Sequence, residues 1–371
     1  MGIKNYILLL IIFTASCQSI NAQRKTDIFT DTLDNAFDIS KWLMQKEGFL
    51  PVPMIITEPA VGYGGMMSVM FFHSSFMKRK GPPDISGAVG GGTTNGTWGL
   101  GGFHAGFYKN DHIRYVGAFF KLNINIKFYG QGLIFDDGIN LNMNSWLLFQ
   151  QLKFRVKESN FFIGGKYLLY NTQNSFEIPI NIPDYTGKEF KANLSELSLL
   201  LNYESRNNIF TPTDGIFAQI SSTYSDKWFG GVDTYGRISS SLLGFIPTKN
   251  KFVIGLRFET TNSIGDVPFW ARPVVFMRGV PVMKYQDNQT SVMETELSYN
   301  IYRRWYLIGF TGMGNAYSDF KEFGDGKFVR NIGTGFRYKI ARLFGLQMGM
   351  DFAWSNEDFG FYFIVGHAWM R

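Results

Sequence analysis

Hydrophobic and polar positions alternate along most of this chain with a period of two. From 331 to 340 the even positions are Ile332, Thr334, Phe336, Tyr338 and Ile340, and the odd ones are Asn331, Gly333, Gly335, Arg337 and Lys339. From 345 to 355 Leu346, Met348, Met350, Phe352 and Trp354 oppose Gly345, Gln347, Gly349, Asp351, Ala353 and Ser355. Met293, Thr295, Leu297, Tyr299 and Ile301 oppose Glu294, Glu296, Ser298 and Asn300. Successive side chains of a strand point to opposite faces, so the pattern predicts amphipathic β-strands. Phe359, Phe361, Phe363, Val365 and Trp369 give the last segment an apolar face, interrupted by His367.

Sixteen segments can be laid out, at 52–58, 60–75, 84–94, 97–108, 113–128, 139–155, 160–172, 193–204, 215–225, 232–245, 251–263, 290–301, 305–317, 329–339, 344–355 and 359–370. Alternation suits a soluble sandwich, apolar face inward, and equally a membrane barrel, apolar face outward. Three features favour the barrel. The strands are long, up to about 16 residues, as tilted spans with extensions are. Trp305, Tyr338, Trp354 and Trp369 sit near strand ends, as interfacial girdles do. A signal peptide puts the chain outside the cytoplasm. The even strand count also suits a single-chain bacterial barrel. With a periplasmic N-terminus, the short turns at 156–159, 246–250, 302–304 and 340–343 fall inside, and the long connections at 173–192, 264–289 and 318–328 fall outside. The fold class expected is all-β, a transmembrane antiparallel barrel over 51–371.

The first 22 residues read as a secretory signal. Lys4 precedes an apolar run, Tyr6 to Phe13, too short to span a bilayer, and Asn21-Ala22 offers a cleavage site. Cleavage after Ala22 is the favoured processing; lipidation at Cys17, the only cysteine, is the alternative. Residues 23–50 form a short periplasmic leader, in which Phe37, Trp42, Leu43 and Phe49 make either the apolar side of a helix or scattered aromatics of a mobile segment.

Composition agrees with a barrel. Hydrophobic residues make up 45% of the chain, aromatics 17%, and 41 residues are glycine. The net charge of +6 comes from basic residues spread through turns, not clustered with aromatics, which argues against nucleic acid as a partner. The four histidines form no helical zinc motif, no Gly-x-Ser-x-Gly elbow is present, and Asn95-Gly96 reads as a hairpin turn. An outer-membrane lipase built on Ser and His beside a strand is the catalytic alternative, for instance around Ser68, His73 and His104, but their spacing gives no catalytic signal. No enzyme activity, metal or cofactor is expected.

Residues 197–215, with Arg206, Pro212 and Gly215 in a polar turn between two strands, resemble the signature turn of the BamA/TamA family of outer-membrane barrels, the bacterial surface antigen family. Met277-Arg278-Gly279-Val280 resembles that family's Arg-Gly-aromatic loop motif, with Lys284, Tyr285 and Asp287 continuing the likeness. Glu296 resembles the acidic residue in the next strand, and Phe310 to Asn315 the Phe-x-Asp-x-Gly-Asn segment. Gly333 to Tyr338 and Met350 to Ala353 match the penultimate strands, and Gly366 with Trp369 resembles a C-terminal assembly signal.

The likeness covers most of 50–371 and implies an integral protein of the Gram-negative outer membrane whose loop folds back into the barrel. Three departures stand out. Val280 replaces the aromatic, Gly312 replaces the aspartate expected to pair with the loop arginine, and the leader is too short for a POTRA domain. Arg278 therefore needs another partner, and alternation offers Glu294, Glu296 and Asp351. The Arg206–Gly215 turn reads as a tight periplasmic connection.

Two functions follow as expectations. In one, the seam between first and last strands parts to guide proteins or lipid into the membrane, with outer-membrane lipid, a client barrel or secreted protein, and a separate periplasmic protein as partners. Pro51 and Pro53 remove ladder donors from the first strand and so weaken closure. In the other, the chain is a passive pore or surface structural protein, its lumen filtered by the Arg278 loop with Lys121, Lys127, Arg337 and Asp351.

Overall fold

The computed structural model describes residues 28–45, 47–57, 60–74, 83–128, 139–177, 189–356 and 358–369. The signal sequence and Cys17 lie outside the described residues.

Sixteen strands run in chain order, each antiparallel to its neighbours. They are β1 (Gly48–Ile56), β2 (Gly64–Phe72), β3 (Ile85–Thr93), β4 (Trp98–Tyr108), β5 (Ile113–Phe128), β6 (Ile139–Arg155), β7 (Phe161–Glu177) and β8 (Glu189–Glu204). There follow β9 (Gly215–Ser225), β10 (Tyr235–Pro247), β11 (Phe252–Gly265), β12 (Gln289–Tyr302), β13 (Trp305–Tyr317), β14 (Lys327–Ala341), β15 (Leu346–Ser355) and β16 (Phe359–Val365). Every predicted strand is present. The sheet curls into a nearly closed barrel, and among the described residues no ladder joins β16 back to β1.

The apolar sets face outward. Leu197, Leu199, Leu201, Leu256, Phe258, Met293, Leu297, Leu307, Ile332 and Trp354 are all exposed, as residues meeting lipid must be. The opposite faces hold buried charge: Glu196, Arg257, Glu294, Glu296, Arg337 and Asp351. Backbone paired strand to strand along the sheet is what lets such strands cross hydrocarbon.

Both ends of the barrel differ from expectation. β1 starts at Gly48, ahead of the boundary at 51, and places Phe49 in the sheet. The leader's helix, α1 (Ser40–Gln45), is accordingly confined to six residues. β16 ends at Val365 because Gly366 turns the chain with a φ of 84°. Trp369 therefore leaves the girdle pattern and is buried against Phe217, Leu243 and Phe245. Trp305 does lie outside, its ring 5.0 Å from that of Tyr338.

Lys121 and Lys127 do not line the lumen. The Lys121 ammonium sits 4.8 Å from the Trp146 ring centroid and donates to Asn144, on the face shared by exposed Phe119 and Trp146. Lys127 is exposed on the same face. The reason is the length of β5 to β8, which run 16, 17, 17 and 16 residues and pass beyond the apolar belt. There the outer face meets water, whereas the inner face, with Ile126, Leu141 and Met143, packs on Met283 of a lumenal loop.

Candidate functional site

The long connection between β11 and β12 folds back into the barrel. Val274 and Gln286 form an antiparallel bridge, and the Val275 amide donates to the Tyr285 carbonyl at 2.8 Å, giving the loop a strand-like neck. At its tip Val280 closes a turn onto the Met277 carbonyl at 3.2 Å, with Gly279 at a φ of 81°. Val275, Met277 and Val280 bury their side chains against Val292, Ala316 and Val329 of the wall. Val280 thus fills an apolar contact where the resemblance implied an aromatic. Farther round, Met283 reaches Ile126, Leu141 and Met143, so the loop spans the lumen.

Arg278 is held inside. One guanidinium nitrogen lies 2.6 Å from Asp351 and 2.8 Å from Glu296. The guanidinium carbon stands 3.5 Å from the Phe310 ring centroid, a stacking worth up to ~2 kcal/mol where water is excluded. Asp351 also receives both terminal nitrogens of Arg337, at 2.6 and 2.8 Å. Glu296 is shared with His367, whose Nε2 is 3.1 Å away. Each buried charge therefore faces an opposite one, the condition under which such groups are tolerated.

Gly312 makes room for this arrangement. A Cβ there would come within 2.5 Å of the Glu294 side chain. Glu294 consequently pairs with Arg257, not with Arg278, and accepts from Asn331 at 3.1 Å. Asn331 in turn donates to the Arg278 carbonyl at 2.9 Å.

Residues that the sequence reading missed hold the rest of the loop. Arg257 donates to the Phe276 carbonyl at 3.0 Å, and Arg237 to the Ala271 carbonyl at 2.6 Å while pairing with Glu196 at 2.8 Å. The available signal was their phase: Arg257 and Glu259 oppose Leu256 and Phe258 on β11.

The mouth on the side of the short turns is crossed as well. The β8–β9 connection, residues 205–214, is a ten-residue arch and not the tight turn expected. Arg206 pairs with Glu204 at 2.6 Å and stacks on Phe217, its guanidinium 4.6 Å from the ring centroid. Asn208 reaches the Phe344 carbonyl at 2.5 Å, and the buried Pro212 lies beside Thr211, whose hydroxyl takes the Gln347 amide at 3.4 Å. Gly215, at a φ of 99°, lies so close to the Ser205 carbonyl that a Cβ would be 2.3 Å from its oxygen. The C-terminal tail meets this arch: His367 donates its amide to the Phe210 carbonyl at 2.7 Å, and its ring lies 4.9 Å from that of Trp369.

The leader docks below the opposite wall. Arg304, in the β12–β13 turn, pairs with Asp31 at 2.6 Å, Asp34 at 2.7 Å and Asp38 at 2.5 Å. Arg342, after β14, also pairs with Asp31. The hydrogen bond from Arg342 is the largest influence holding the Asp31 carboxyl down at about 2. Arg304 likewise lowers Asp34, and Asp38 is lowered by bonds from Ser40 and Arg342 that outweigh its burial.

Ser68, His73 and His104 are not brought together. Ser68 is buried on the lumen face, whereas His73 and His104 lie on the outer face and share Ser86, each 2.8 Å from its hydroxyl. No group of three potential metal ligands occurs among the described residues.

These features define an integral outer-membrane β-barrel with an inward-folded loop. Residues 119–275, within the barrel, match the Omp85 superfamily domain. The fold is similar to that of BamA from Haemophilus ducreyi lacking POTRA domains 1-3, at a TM-score of 0.59 and 15% identity, over 86% of this chain and 70% of that one. It is similar too to CdiB from Acinetobacter baumannii, at 0.55 and 10% identity over 85% of this chain and 59% of that one. CdiB from Escherichia coli matches at 0.55 and 11% identity, over 86% and 60%. The chain therefore spans about six tenths of either CdiB. No curated protein matches it in sequence.

Proposed function

We propose that this barrel assists the insertion or translocation of proteins, or of lipid, at the outer membrane by parting β1 from β16. The observation that carries the reading is the free edge of β1. Leu50, Val52 and Met54 face Met70, Ser68 and Met66, and the Met54 carbonyl points towards β2. The alternate residues, Pro51 and Pro53 among them, therefore turn their backbone to the seam, where proline supplies no donor. A seven-residue β16 offers little ladder to meet it. The resemblance to BamA-type barrels supports the same role, and a lumen crossed by loop, arch and tail supports a lateral path over an axial pore.

The test is a reversible lock. Tyr63 stacks on Phe361 with centroids 5.6 Å apart, joining the β1–β2 hairpin to β16. Cysteines at these two positions, bridged by a short bifunctional thiol reagent, should abolish complementation of a depletion strain, read as outer-membrane protein abundance, with recovery on reduction. Full complementation by the bridged protein would refute lateral opening.

A further inference from the structure

Arg304 and Arg342 sit on two periplasmic turns and form a basic site filled by the chain's own leader. Three aspartates spaced three and four apart reach Arg304. Backbone bonds add to them. The register slips between Lys339 and Ala341, and the Ile340 carbonyl freed by that irregularity accepts the Ile39 amide at 2.9 Å. Arg342 donates its amide to Asp38 at 2.9 Å, and Leu343 to the Ser40 hydroxyl at 3.1 Å. The leader is itself organised by aromatics: the Phe29 ring lies 6.2 Å from Phe37 and 6.1 Å from Trp42.

The chain leads from this site directly into the seam. Ser40 lies beneath the β14–β15 turn, and eight residues later Gly48 opens β1. The leader thus ties the free edge strand to the wall on the far side of β16, across the base of the gap.

We propose that the Arg304–Arg342 site is a docking site for an acidic, aromatic-bearing peptide segment folded as a tight turn, occupied in cis by residues 29–42 as a latch on the seam, and that a periplasmic partner presenting the same chemistry displaces the latch and frees β1. This rests on the lateral-opening reading for its purpose, but docking and displacement stand or fall by themselves. With the leader docked, Arg304, Asp31 and Asp38 are all buried, so leaving Arg304 unpaired is costly and a displacing segment must bring its own set of acids. In cis the site sees a high local concentration of its own leader, which excludes weak competitors and selects for a partner brought close.

The experiment uses the full chain in nanodiscs. The probe is a labelled peptide of residues 28–45. Asp31→Asn, Asp34→Asn and Asp38→Asn together should release the latch, speed hydrogen exchange in β1 by roughly tenfold, and let the peptide bind in trans. Wild type should exclude the peptide, and adding Arg304→Glu to the triple variant should abolish its binding. Asp34→Asn alone, which leaves Asp31 and Asp38 on Arg304, should speed exchange less than the triple variant does, separating graded loss of charge pairing from misfolding. Unchanged β1 exchange in the triple variant, or peptide binding to the triple variant that survives the addition of Arg304→Glu, would overturn the proposal. Neither outcome depends on a client, so a failed seam lock leaves this result readable.

Discussion

The Gly279 amide donates to the Tyr362 hydroxyl at 2.8 Å, linking the tip of the lumenal loop to the last strand. Ser355 completes the clasp by donating to the Gly279 carbonyl at 2.6 Å. The loop therefore buttresses one edge of the seam. Tyr362→Phe should cost about 1 kcal/mol, the net value of one such bond, and speed exchange at residues 277–283. Gly279→Ala should do more, because its φ of 81° disfavours a side chain and a Cβ would sit 3.1 Å from Ala353. Equal exchange in both variants would remove the backbone argument.

Asp351 and Glu296 are unequal partners of Arg278. Asp351 carries two guanidinium groups and is fully buried, whereas Glu296 shares Arg278 and takes His367 besides. Breaking a buried pair costs on the order of 3–5 kcal/mol, and Asp351→Asn, which loosens two guanidinium groups, should destabilise the loop more than Glu296→Gln does. Protease sensitivity of the 266–288 loop, followed against denaturant, gives the ranking. The reverse order would mean that the Glu296 side of the network dominates.

The strands were legible because period two is imposed at every residue by lipid on one side and water or protein on the other. Glu294, Glu296, Arg337 and Asp351 were legible as one buried face for the same reason. Which acid meets Arg278 was not, since Glu294 and Glu296 share a face and a single glycine at 312 decides between them. Lys121 misled because its strand outruns the membrane, where the polar side becomes the outer one. Trp369 misled because one glycine with positive φ ends the alternation that His367 had already broken. The leader's aspartates carried no periodic signal at all; their partners, Arg304 and Arg342, lie more than 260 residues away.

The tail and the arch together close the mouth on the side of the short turns. Trp369→Ala removes a buried side chain packed on Phe217, Leu243 and Phe245, at a cost of about 3–5 kcal/mol to the tail's seating. Planar-bilayer recordings should show higher conductance for that variant than for wild type, with Arg278→Ala adding a further increase from the other end. A conductance unchanged in the double variant would leave the lumen blocked by something else.

Acid should release the leader only at low pH. Asp31 is held at about 2, below the ordinary carboxylate value of 3.8, and Asp34 and Asp38 are shifted the same way. A depressed carboxyl stabilises docking above its ordinary value, and this contribution is lost as pH falls through about 2. Arg304 and Arg342, the cations facing these acids, keep their charge throughout. A fluorophore at Leu33→Cys, an exposed site, should keep high anisotropy to below pH 3.8 and lose it towards 2. Release at neutral pH would show that the pairs do not hold the leader.

Pro51 and Pro53 give the sharpest handle on the seam, because they change the edge without touching the lumen. Both belong to the outward-facing set of β1, and both direct their backbone away from β2. Replacing them with valine restores two donors on the free edge and adds β-branched side chains suited to a strand. Each added ladder bond is worth about 1 kcal/mol, so the pair is enough to shift a marginal seam towards closure. The doubly substituted protein should show slower exchange along β16 and faster thiol bridging between cysteines at 63 and 361. It should also complement depletion less well, even though the barrel itself is more stable. If it complements as well as wild type while its seam is measurably tighter, then opening of that seam does not limit the function.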